Sequence, residues 1–275
     1  MRSILYRMYL LLSQFNQFLH EGFSMHAPKQ AILDQAATLI ENFDLCASHY
    51  SKNHRKKGHI TFSKTAGSPL DINLSPQSAN NRVYIGANVS GTLKLKIQGS
   101  RNIVYIGDNC KFGTSIINLR NDDTVVCLGN GTTTTGNCRF IIGQNAKSEA
   151  SHLLIGDDAM LAKDIAIFTS DNHPVLDAQT FEVVPSSTKY VVIEPHVWLA
   201  EGTKVLKGVT IGCGSVIGAA SLVTQDVPRQ SIAGGVPAVC LKSNRSWSRN
   251  NSAESRLKAK EICTRYLTQA DEAQP

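Results

Sequence analysis

Between Ile193 and Val223 a branched apolar residue returns at every sixth position: Ile193, Leu199, Val205, Ile211, Ile217 and Val223. Four residues after each of the first five stand Val197, Thr203, Val209, Ser215 and Ser221, all small or β-branched. An α-helix does not repeat with this period, and no single strand keeps a pattern going over such a length. The spacing predicts a solenoid, in which each short rung buries one side chain and stacks on its neighbours.

Upstream the theme is looser. Val83-Tyr84-Ile85-Gly86-Ala87-Asn88 returns as Val104-Tyr105-Ile106-Gly107-Asp108-Asn109 and again as Val126-Cys127-Leu128-Gly129-Asn130. Ile142-Gly143 and Ile155-Gly156-Asp157-Asp158 follow, and Ile155, Leu161 and Ile167 restore the period of six. Glycine followed by Asn or Asp tolerates left-handed backbone, so each unit reads as a short strand and a corner. Each apolar side chain fully buried inside contributes roughly 1.5–3 kcal/mol. The period fails over residues 171–190, a stretch carrying Pro174 and Pro185 that predicts one long protruding loop.

Three segments result. Residues 1–80 form an N-terminal helical segment and linker, with an amphipathic helix from Pro28 to about His49 and one strand near His59–Ser63. Residues 81–240 form the solenoid. Residues 241–275 form a tail with a helix from Ser252 to Thr268, for which Asn251 and Glu254 are spaced as a capping pair and Leu257, Ile262 and Tyr266 offer an apolar side. The apolar run over residues 4–19 is too short to span a bilayer, and suits either peripheral contact with a membrane surface or docking on the protein.

A net charge of +6 without a dense basic stripe argues against a nucleic-acid partner. Seven scattered cysteines with no CxxC fit reduced thiols in a cytoplasmic protein, not a zinc knuckle or redox pair. No metal is expected. His173, in the long loop between Asp171 and Asp177, is the candidate general base, because an imidazole suits proton removal from a hydroxyl at neutral pH. His196 lies inside a repeat and reads as a structural or positioning residue. His152 falls on the outside of the solenoid. Trp198, next to inward-facing Leu199, should point outward.

The segments Ile193-Glu194-Pro195-His196-Val197-Trp198-Leu199, Leu206-Lys207-Gly208-Val209-Thr210-Ile211-Gly212, Val216-Ile217-Gly218-Ala219-Ala220-Ser221 and Gly234-Gly235-Val236-Pro237-Ala238 resemble the hexapeptide-repeat acyltransferases. Within them, Thr169-Ser170-Asp171-Asn172-His173-Pro174 and Ser246-Trp247-Ser248-Arg249 resemble bacterial capsule, sialic-acid and O-antigen O-acetyltransferases. The resemblance covers about residues 80–250. It implies a mainly β fold, a left-handed parallel β-helix, working as a homotrimer with acetyl-CoA as donor and a carbohydrate acceptor. It implies His173, Trp198 and Asp171 as catalytic residues. It places the donor near Ala200, Gly218, Ala219, Ala220, Ser221 and Pro237, with Lys242 and Arg245 near its phosphates. The chain departs from the family at Ala220, where glycine is usual, and at Gln225 and Val239, where lysine is usual. Acetylation of a nucleotide sugar or another small acceptor, and a trimeric scaffold without activity, are the alternatives. A zinc hydratase on the same scaffold would need histidines five apart within the repeats, and there are none.

Overall fold

The structure is a computed structural model that describes residues 60–63, 70–74, 78–144, 151–184 and 190–272. The helix expected at Pro28–His49 and the apolar run at 4–19 lie outside these residues.

The six-residue period lays the chain onto three faces in turn. Face one stacks β1 (Ile60–Ser63), β3 (Asn81–Ile85), β5 (Ile103–Ile106), β7 (Val125–Leu128), β10 (His152–Ile155), β13 (Tyr190–Ile193) and β16 (Val209–Ile211). Face two stacks β8 (Thr133–Gly136), β11 (Met160–Lys163), β14 (Trp198–Leu199), β17 (Val216–Ile217) and β19 (Ile232–Gly235), closed by β20 (Ala238–Lys242). Face three stacks β2 (Leu70–Leu74), β4 (Ser90–Ile97), β6 (Lys111–Leu119), β9 (Cys138–Ile142), β12 (Ala166–Phe168), β15 (Lys204–Val205) and β18 (Leu222–Val223). β6 is long enough to pair with both β8 and β9, so it bends through the corner and joins faces two and three into one sheet. Every pairing between these strands is parallel except β19 with β20.

Register makes the period visible. Ile155, Ile193 and Ile211 align on face one, Leu161, Leu199 and Ile217 on face two, and Ile167, Val205 and Val223 on face three. All nine are fully buried in one continuous core. The corners explain the Gly-Asn/Asp signature. Asp108 Oδ1 accepts from Ala87 N, Asn130 Oδ1 from Asp108 N, and Asp157 Oδ1 from Asn130 N, at 2.7–2.8 Å. A Cβ on Gly107 would stand 2.7 Å from Asn130 N, so this ladder demands a glycine beneath each carboxamide or carboxylate. Strand pairing reaches back to Ile60, so the solenoid takes in residues that the sequence pattern assigned to the linker.

The tail helix, α1 (Ala253–Glu272), differs from expectation in two ways. Ser252, not Asn251, is its N-cap: Ser255 N donates to Ser252 Oγ at 3.1 Å. Its buried side holds Ala259 and Cys263 with the expected Tyr266. Cys263 and Tyr266 pack on Cys213 with the expected Ile262 against them, and Leu257 is exposed instead. His152 does lie outside the coil and is half-buried there. Its Nδ1 accepts from Val125 N at 3.2 Å, and burial pushes its pKa down to about 4.

Candidate active site

The loop that interrupts the period leaves the corner between faces three and one, directly after β12. Its first residues are pinned one by one. Thr169 N donates to Ile141 O and Thr169 Oγ1 accepts from Gly143 N. Asp171 is ion-paired with Lys207. Asn172 takes a left-handed backbone, φ 65°, and its Oδ1 accepts from Arg120 at 2.8 Å. His173 follows at once and is exposed. Beyond it, Asp177 folds onto its own turn, accepting from the backbone N–H groups of Gln179 and Thr180 and holding its carboxyl below the usual carboxylate range. Both carboxylates flanking His173 are therefore engaged elsewhere. The rest of the loop turns a ring of apolar side chains outward: Val175, Leu176, Phe181, Val183 and Val184, with Phe181 74% exposed.

His196 contrasts at every point. It sits at a corner with φ 55°, is 1% exposed, and stacks on Trp247 at 4.3 Å. Its Nδ1 is hydrogen-bonded with Asp158 Oδ2 and its Nε2 with Trp247 O, both at 2.8 Å, while Trp247 Nε1 donates back to His196 O. With both ring nitrogens engaged inside the fold, neither is open to a substrate. Asp158 also receives Arg249 Nε at 3.0 Å and Lys258 at 3.5 Å. Burial alone would raise its pKa, but the His196 hydrogen bond and the charges of Arg249 and Lys258 outweigh it and hold the carboxyl low. The cluster ties the tail to the coil and supports Trp198, whose ring lies 6.0 Å from that of Trp247. Sequence reasoning passed over Asp158 because it belongs to the same Gly-Asp-Asp corner motif as its purely structural neighbours.

Trp198 points outward from face two and is half-buried in a row with Met160, Val216 and Ile232. The small-residue corner lies just beyond it, between faces two and three. Ala220 takes φ 56° there, and its N donates to Glu201 O. Ser221 Oγ donates to Gly218 O and accepts from Gly235 N, which ties this corner to the β19–β20 hairpin carrying Pro237. A Cβ on Gly218 would meet nothing closer than 3.5 Å. The coil's own packing therefore does not require glycine at Gly218, in contrast to Gly107. Ala200 and residues 218–221 lie at this corner, and Pro237 follows Gly235 in the hairpin bonded to it. Lys242 pairs with Ile232 at the far end of the hairpin, and Arg245 N donates to Gln230 O, so these two lie across face two from it.

In a triangular coil the corner between faces three and one stands opposite face two. One protomer thus holds His173 and Trp198 on opposite sides. Among the described residues no group of His, Cys, Asp and Glu could hold a metal ion. None of their helices is long and apolar enough to cross a membrane.

No protein-family model matches the chain. A polysialic acid O-acetyltransferase of Escherichia coli O1:K1 / APEC is 32% identical over 41% of this chain and 36% of its own length. A polysialic acid O-acetyltransferase of Neisseria meningitidis is 29% identical over 49% of this chain and 69% of its own. The crystal structure of a polysialic acid O-acetyltransferase superposes with a TM-score of 0.58 at 25% identity, covering 70% of this chain and 96% of that one. The chain is thus similar in sequence to polysialic acid O-acetyltransferases and in fold to a solved structure of one. Its fold is accordingly the left-handed parallel β-helix that the resemblance implied. The match spans about a third of the first of these relatives and about two thirds of the second.

Proposed function

We propose that this protein is an O-acetyltransferase that moves an acetyl group from acetyl-CoA to a sugar hydroxyl of a bacterial surface polysaccharide, with polysialic acid the acceptor its relatives favour. Support comes from relatives named for that activity and from the pinned, exposed His173. His173 takes the proton of the acceptor hydroxyl, whose oxygen attacks the thioester carbonyl carbon. The carbon–sulfur bond then breaks, and the proton returns to the departing thiolate. The Trp198 indole N–H donates to the oxygen on which negative charge develops. Asp171, held by Lys207, fixes the loop backbone next to the base.

Because His173 and Trp198 sit on opposite sides of one coil, the working site is shared between protomers of a homotrimer. The apolar loop side chains from Val175 to Val184 supply a surface for the neighbour, and face two offers Met160, Trp198, Val216 and Ile232 in return. The donor's pantetheine arm lies along Ala200, Gly218, Ala219, Ala220, Ser221 and Pro237, and its phosphates lie toward Lys242 and Arg245. The catalytic coil, extended back to β1, carries an N-terminal segment before it and the tail of residues 241–275 after it. The enzyme works in the cytoplasm, where its donor is made, with residues 4–19 bringing it to the inner face of the membrane.

Incubating the protein with acetyl-CoA and polysialic acid and weighing the product tests this reading. Acetylated polymer and free CoA in equal amounts are expected. CoA release without acetylated sugar, on polysialic acid and on neutral capsular polymers alike, would refute it. Light scattering should give the mass of three chains.

A further inference from the structure

One groove of about 850 Å³ runs along face three beside the corner that carries Gly202, away from the His173 loop. Along its floor Lys94, Ile116, Arg139 and Lys204 stand in one register row, with the small, buried Ala166 between Arg139 and Lys204. From Lys94 to Lys204 cations occupy every second rung and apolar residues the rungs between, and Asp71 stands in register on the rung before Lys94. Rungs stand about 4.8 Å apart, so the positive charges recur at roughly 10 Å. Thr92, Thr114 and Asn137 add polar groups along the rim. Asp164 is the one carboxylate of the lining, and it lies 3.8 Å from Lys163, which keeps the groove's balance positive.

Nothing in the coil calls for this alternation. Stacking requires only inward side chains, and a row of outward positions on a solenoid is free to vary from rung to rung. The groove also has a direction. It ends at Gly202 and Lys204, and Gly202 packs against Ala220 of the small-residue corner, 3.6 Å from Ala220 Cα to a Cβ placed on that glycine. A chain lying in the groove is led along the solenoid axis to the place where the donor is proposed to lie.

We infer that this groove is the track of a polyanionic glycan, which it grips through Lys94, Arg139 and Lys204 while Ile116 meets the apolar face of a sugar ring. The periodic charges suit a polymer that carries one carboxylate per residue, since such a chain meets a cation at regular intervals in any register and can slide between equivalent positions. That the polymer is there to be acetylated rests on the function proposed above; its binding does not.

The test is binding of polysialic acid to the full chain, measured by fluorescence anisotropy of end-labelled polymer at two salt concentrations. Replacing Lys94 and Arg139 together by Gln should weaken binding about tenfold and flatten its salt dependence. Replacing Arg256 and Lys260 on α1 by Gln removes the same two charges elsewhere and should leave the affinity unchanged. Equal losses in the two double variants, no loss in either, or no binding by the parent protein would overturn the track. Normal polymer binding through these residues without any acetyl transfer would leave the track standing and remove the proposed function. Acetyl transfer with unaltered binding in the Lys94→Gln/Arg139→Gln variant would do the reverse.

Discussion

Two histidines of this chain, 23 positions apart in the sequence, have opposite surroundings. His196 lies in a rung corner, buried, stacked on Trp247, with both ring nitrogens hydrogen-bonded. His173 lies on the one long loop, its ring exposed and its preceding backbone pinned by Arg120 and Lys207. A buried, fully satisfied imidazole contributes to stability. An exposed imidazole on a fixed backbone contributes nothing to folding that would explain the anchors behind it. Rigid backbone under a free side chain is the arrangement expected of a group that must meet a substrate in one orientation.

The comparison breaks most visibly by removing each ring in turn. His173→Ala should lower acetyl transfer by about 10²–10⁴ with an unchanged urea midpoint. His196→Ala should do the opposite. It leaves the Asp158 carboxylate short of one partner and the Trp247 carbonyl unpaired, and should destabilise the fold by about 3 kcal/mol in urea titration. If the two variants exchange these phenotypes, the assignment of base and brace is reversed.

A third histidine sharpens the contrast through pH. His152 is held neutral by burial, with a pKa near 4 against an ordinary 6.5. As pH falls below 6.5 the unfolded chain takes up this proton before the folded one does. The neutral ring's contribution is therefore complete above about pH 6.5 and is lost as pH falls from there toward 4, by about 3 kcal/mol. Melting temperature against pH should show this slope in the parent and a shallower one in His152→Gln. Asp158, whose carboxyl is held below 3.8, adds its own loss only at lower pH. An unchanged slope in His152→Gln would mean that its surroundings are wetter than they look.

Smaller effects should come from the loop anchors. Arg120→Ala frees Asn172 and should reduce turnover about tenfold by letting the base wander, with little change in stability. Equal losses in turnover and stability would make Arg120 a structural residue of the coil instead.

How much of this was written in the sequence follows from how local each signal is. The six-residue period is local and redundant, so Ile193 to Val223 announced the rungs and every one of those side chains is buried. The break after Ile167 announced the loop, and Trp198 points outward as strand alternation requires. The N-cap was misplaced by one residue because Asn250, Asn251 and Ser252 all carry capping side chains, and only backbone direction selects Ser252. The Asp158–His196–Trp247–Arg249 cluster joins residues up to 91 positions apart and cannot be seen in any local pattern. The cation row on face three was equally hidden. Its members are separated by 45 and 65 residues, and only register aligns them.

Whether His173 of one protomer serves Trp198 of another can be measured directly by complementation. His173→Ala and Trp198→Ala proteins, each inactive alone, are unfolded together, refolded as a mixture and assayed for acetyl transfer. A site shared across the interface predicts that activity returns in mixed trimers, which then contain intact His173–Trp198 pairs. A mixture as inactive as its parents, with mixed trimers confirmed by native mass spectrometry, would contradict it.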